Sequence, residues 1–456
     1  MRKLLLILFG ATVCVRAAGA LLSAGDRKQE VASFEQVWNT INSSFWDPSF
    51  GGLNWRAVHD ELLPKIEQAR THEQARAVLE EMISRLHLTH FEIISSDVSS
   101  DLDDLTARRG LGETGIDVRV IGGKAIVTSV ADGTPAARAS VRPGWEIVRT
   151  GDTPAARIIA KAGQAYEHST LRELILREAL TGRMSGPVGS QIEIEFRDGE
   201  DRPVVKRLDE ARPNGVLSRF GYLPPTYVWI ERRMAAPQVG LVRFNMFLDP
   251  VNVMRTFGDA VSACLTCRGF IIDLRGNPGG IGAMAMGMAG WFVDKPDERL
   301  GTLYMRSGKL NFTINPRAEV FNGPLAILVD GTSASTSEIL AGGLKDLGRA
   351  RIFGSRTAAA ALPSAIILLP NGDGFQYAMA DYISEGGKRL EGIGVTPDVE
   401  APWTRDALLA GRDPALDAAL RWIDTVRPAH KPLTGARSVP NQDVRGAGSG
   451  LLCANH

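Results

Sequence analysis

The chain has no excess of charge of either sign. Its 52 Lys and Arg are matched by 52 Asp and Glu over 456 residues. That balance argues against nucleic acid or an anionic membrane surface as the main partner. Long apolar runs are missing too. The stretch Leu4 to Val15 is about twelve residues, well short of the roughly 20 that cross a bilayer, so a polytopic membrane protein is excluded. Cysteine is scarce, at four residues. Cys264 and Cys267 form a lone CxxC, with no second pair or nearby histidines to complete a zinc site, so no metal and no cofactor is expected. At a helix end before a strand, the pair reads as structural, either a local disulfide or two partly buried thiols. What is present, 44% hydrophobic and 23% charged residues, excludes long low-complexity disorder. It is enough to bury a core in each of several domains.

The first residues stand apart. Arg2 and Lys3 precede the apolar run, and Ala18-Gly19-Ala20 fits a small-x-small cleavage site. This is the pattern of a secretory signal peptide over residues 1–20, and it predicts a periplasmic or secreted protein without a membrane span. Its removal takes away Arg2, Lys3 and Arg16 and no acid, leaving a formal charge of −3.

Beyond it, residues 29–106 read as helical, with Leu79, Met82, Ile83 and Leu86 at helical spacing. In residues 107–212, short strands at Gly115–Val118 and Ala125–Val130 lead to Gly133-Thr134-Pro135, a helix start with Pro in its first turn. The alternating strand Gln191–Phe196 follows a partly helical insertion over residues 153–185. Residues 213–430 alternate strands (Val239–Phe244, Gly269–Leu274, Leu325–Val329, Ala350–Phe353) with helices (Met254–Leu265, Ser335–Leu347), which predicts an α/β core. Residues 431–456 are rich in Gly, Ser and Pro and read as a flexible tail.

Two stretches could carry chemistry. Leu328 to Ile339 is an apolar strand, a small-residue turn and a helix start. A serine at that junction faces the positive end of the helix dipole, which suits a nucleophile. The spacing Ser335-x-x-Glu338 is equally that of a capping box. Phe270 to Gly280 is a buried strand running into the glycine-rich turn Arg275-Gly276-Asn277-Pro278-Gly279-Gly280, without the spacing of a phosphate loop.

Together these stretches, with "LPNGDGFQYAMADY" and "LEGIGVTPDVE" following in order, resemble the carboxy-terminal processing protease and tricorn protease family of serine peptidases. The likeness covers roughly residues 30–405. It implies a Clp-protease/crotonase-like α/β spiral core, preceded by an N-terminal helical subdomain and a β-rich domain. Residues 107–212 in turn resemble a bacterial PDZ domain, a module that binds C-terminal peptides by strand addition.

The resemblance makes Ser335 the nucleophile. In the processing branch the base is a lysine, but that position is Ala360, within Thr357-Ala-Ala-Ala-Ala361. The tricorn branch instead uses a histidine and a glutamate. The matching residues here are Thr89 and His90 in Leu86-His87-Leu88-Thr89-His90, and Glu391 before Gly394-Val395-Thr396-Pro397-Asp398. His90 would be the general base, with His87 the competing position, and Glu391 with Thr89 would orient it through a relay. The oxyanion hole would combine the amide of Thr336 with that of Gly279 or Gly280. Singly, His90 reads as a packed histidine, Thr89 as a helix-end cap and Glu391 as a turn carboxylate; their joint occurrence favours an enzyme. The expected partner is a polypeptide held through its C-terminus. Two alternatives remain: a peptide-binding protein without activity, motivated by Ala360, and, disfavoured by the export signal, an acyl-CoA enzyme.

Overall fold

The computed structural model describes residues 21–96, 111–219 and 225–426. The expected signal segment, the tail and the junction 97–110 lie outside them. The described residues combine helices and sheets. Three helices open it, Ala24–Ser44, Trp55–Glu67 and His72–Ser84. Their N-caps Ser23, Asn54 and Thr71 each accept a backbone N–H of the first turn, which removes an otherwise orphaned donor. Phe34, Leu62, Leu79 and Met82 form their common core.

The helical reading of residues 29–106 needs correction at its end. The third helix stops at Ser84, and Glu92–Ile94 is a strand paired antiparallel with Gly374–Gln376. The spacing of Leu79, Met82 and Ile83 was a true helical stripe. Beyond it, His87 and His90 take positive φ (52° and 60°), which no helix accommodates.

The middle of the chain is a β-sheet in the order Ile116–Ile121, Lys124–Val130, Glu146–Thr150, Gln191–Arg197, Pro203–Asp209. Helices Ala155–Ala165 and Arg172–Thr181 pack on it around Val118, Val127, Leu176 and Phe196. The last part is built on a second sheet. Ile230–Ala236 pairs antiparallel with Val239–Phe244, and then Gly269–Asp273, Leu325–Val329, Ala350–Gly354 and Val399–Glu400 follow in parallel. Gly269–Asp273 and Leu325–Val329 are buried at every position, as strands covered by helices on both faces must be. Phe244, Ile272, Ile327 and Leu340 fill one side; Ile271, Leu328, Phe353 and Ile423 fill the other. The ends of these two strands deliver the glycine turn and the Ser335 turn.

Candidate active site

Ser335 sits between Leu325–Val329 and the helix Thr336–Asp346, whose N-cap it is. Residues 325–334 and 336–344 are buried, and Ser335 alone among them is partly exposed. Its backbone is strained (φ 53°, ψ −117°), a conformation that costs about 1–3 kcal/mol and persists only when its surroundings impose it. The surroundings do impose it. The Ser335 amide donates to Ala360 O (2.7 Å) and to the Glu338 carboxylate (3.1 Å). Glu338 therefore supplies the reciprocal half of a capping box, as the spacing suggested, and does more. Fully buried, it also accepts from Thr357 Oγ1 (2.5 Å), Ala359 N (2.9 Å) and Ala360 N (2.9 Å). Burial pushes its carboxyl up to about 7 against these donors. Glu338 thus ties the serine turn to the segment 357–361. The spacing marks it only as a cap, because its other donors come from residues distant in sequence.

The glycine turn lies against the serine. A Cβ on Gly279 (φ 104°) would come within 2.7 Å of Ser335 Cβ and 2.9 Å of Thr336 N, so no other residue fits there. Buried Asn277 shapes the turn. Its Oδ1 accepts Gly279 N (2.9 Å), its Nδ2 donates to Phe244 O (3.0 Å), and its carbonyl accepts Ala334 N and Ser337 Oγ. This separates the two glycines. The Gly279 amide is engaged, whereas no acceptor is recorded for Gly280 N or Thr336 N among the described residues. Thr336 Oγ1 donates to Gly280 O (2.8 Å) and holds the two segments together.

On the other side, Thr89, His90 and Glu391 form one hydrogen-bonded chain. Glu391 is buried and accepts Thr89 N (3.0 Å), Thr89 Oγ1 (3.0 Å) and Ala361 N (3.0 Å). The hydroxyl of Thr89 has one proton, and it goes to Glu391. The 2.7 Å contact between Thr89 Oγ1 and His90 Nδ1 is then a bond donated by the imidazole. That fixes the proton on Nδ1 and leaves the lone pair on Nε2. Desolvation lowers the His90 pKa to about 4, so the ring is neutral at ordinary pH. Burial raises Glu391, with the bonds from Thr89 and Ala361 opposing. His87 is exposed, with no part in this chain.

The segment 357–361 joins the two halves. Ala360 O holds Ser335 N, the next residue's amide holds Glu391, and Gly392 N donates to Ala359 O (2.9 Å). Ala358 to Ala361 are all buried. Where the processing branch places a lysine, a methyl packs against Ala334 and Ala358. Among the described residues, no group of His, Cys, Asp and Glu could hold a metal ion.

Residues 238–401 match the family described as Peptidase family S41, and residues 27–84 match the Tricorn protease C1 domain. The chain carries a Peptidase family S41 domain. It is 27% identical over 392 residues to the chloroplastic carboxyl-terminal-processing peptidase 2 of Arabidopsis thaliana, covering 82% of this chain and 69% of that one. It is 25% identical over 399 residues to the carboxyl-terminal-processing protease of Synechocystis sp., covering 84% and 86%. Among solved structures, the photosystem II D1 C-terminal processing protease superposes with a TM-score of 0.57 at 21% identity over 88% of this chain and 97% of that one. That likeness supports the fold.

Proposed function

We propose that this chain is an endopeptidase of exported or unfolded polypeptides, with Ser335 as nucleophile and His90 as general base. The observation that carries the reading is the Thr89 hydroxyl set between His90 Nδ1 and Glu391. It holds the imidazole in the one tautomer that can take a proton from a serine. In this reading Ser335 Oγ attacks the scissile carbonyl and its proton passes to His90 Nε2. The developing oxyanion accepts the amides of Thr336 and Gly280. His90 then returns the proton to the leaving amine, and water reverses the sequence to release the acyl group. Glu391 orients the imidazole through Thr89, a positioning role.

Substrate capture is assigned to the middle sheet, read as PDZ-like. Its outer strand Ile116–Ile121 lies at the end of the sheet order, where an extended C-terminus can add as a further strand. The export pattern in residues 1–20 supports a periplasmic or secreted setting. Hydrolysis of a denatured polypeptide is the test. Ser335→Ala is expected to lower kcat by at least about 10⁴-fold with an unchanged melting temperature; unchanged turnover would refute the assignment. Peptide binding without turnover by the unsubstituted protein would favour the non-catalytic alternative that Ala360 motivates.

A further inference from the structure

Away from Ser335, a cavity of about 250 Å³ opens between the middle sheet and the core sheet. Five arginines and four carboxylates line it. Most of this charge is satisfied internally. Arg119 donates to Asp330 (2.9 Å) and Asp117 (2.9 Å), and Arg275 to Asp273 (2.7 Å) and Asp413 (2.8 Å).

Two lining atoms make no hydrogen bond, although the Arg243 guanidinium lies 3.6 Å from Asp117 and its Nε 3.9 Å from Asp273. Among the described residues, three buried side-chain polar atoms lack a hydrogen bond, and two of them, Thr128 Oγ1 and Arg243 Nε, line this one cavity. Buried donors are rarely left unmet, because the desolvation cost is not recovered. Thr128 is 5% exposed, and its placement is built in. Asp117 pairs with Ser129 and Val118 with Val127, so Thr128 is the extra residue of a β-bulge, a device that re-aims a side chain. An arginine Nε can only donate, so whatever meets it must accept. The exposed Arg233 and Arg412 stand at the rim. The volume is below the roughly 300–1,000 Å³ of sites for drug-sized ligands, which limits the occupant to a few heavy atoms.

We propose that this cavity is a binding site for a small oxyanion, a phosphate or carboxylate group, held by Thr128 Oγ1 and Arg243 Nε between the two sheets. The site stands independently of the peptidase assignment. Because its walls belong to both bodies, an occupant holds the middle sheet against the core.

Isothermal titration of the full chain at constant ionic strength, with sodium phosphate in one arm and sodium succinate in the other and chloride as the replaced ion, tests it. Saturable one-site binding is expected in at least one arm, with a melting temperature that rises with the bound anion. Response to phosphate alone assigns a phosphoryl group, to succinate alone a carboxylate. Thr128→Val, which keeps the shape of the side chain, and Arg243→Gln are each expected to weaken binding by about ten-fold or more. Circular dichroism matching the parent separates lost binding from lost fold, and Thr128→Val decides if Arg243→Gln does not fold. No saturable heat in either arm, or parental affinity in Thr128→Val, overturns the proposal.

Discussion

Ser335 leaves a strand whose five residues are all buried and enters a helix braced from within by Glu338. His90 follows a helix that ended six residues earlier, in a turn held mainly by what it meets on the core. The Ser335 side is therefore set by the sheet itself. The His90 side is set by docking: Thr89 to Glu391, Glu92–Ile94 to Gly374–Gln376, and Arg76 to Asp373. One side is built into the core and the other is brought to it, so damage to the N-terminal part should cost alignment of His90 before it costs the Ser335 turn.

The largest test of that contrast is the Arg76–Asp373 pair, whose two bonds are both 2.8 Å long, with the Asp373 side chain fully buried. Arg76→Ala leaves a buried carboxylate without its counter-charge, held by Ser96 N and Asn371 Nδ2, and should lower stability by about 3 kcal/mol. Urea unfolding should show an early transition, with turnover lost ahead of the core. A single unchanged transition would mean that the two halves are equally integral.

Next is Thr89→Val. It removes the acceptor that fixes His90 Nδ1–H and should cost about 10²-fold in kcat, less than loss of the base itself, with little change in KM. Thr89→Ser should restore most of it. Equal loss in both variants would reduce Thr89 to a packing residue.

The smallest effect is a displaced limb. General-base action needs neutral His90, and activity falls as pH drops through the pKa of the folded protein. Desolvation puts that near 4, so the acid limb of kcat/KM should lie well below the ordinary histidine value of about 6.5. A limb near 6.5 would mean that the docked ring is solvated.

Much of this was legible in the residues. Strand and helix positions in the core followed from apolar runs and turn signals, and Leu325–Val329 ends where expected. The chain from His90 through Thr89 to Glu391 was marked by motif register, although 302 residues separate Thr89 from Glu391. What was not legible depends on tertiary contact. The helical stripe of Leu79 and Met82 gave no sign that the chain would turn back at His87 and His90, because positive φ in a non-glycine residue is imposed from outside. Glu338 looked like a cap because its one local donor is Ser335 N; its other three donors arrive from residues 357–360. The choice between Gly279 and Gly280 needed Asn277 in place. Cys264 and Cys267 are joined as a disulfide, where the spacing alone left that open.

The central claim is that a serine at a strained turn is activated by a histidine held through a threonine. Reaction with a fluorophosphonate, followed by mass-spectrometric mapping of the modified peptide, tests it most directly. A single adduct on Ser335, formed at a rate that follows the acid limb of His90 and abolished in His90→Ala, is the predicted result. No adduct, or an adduct on Ser333 or Ser337, would contradict it.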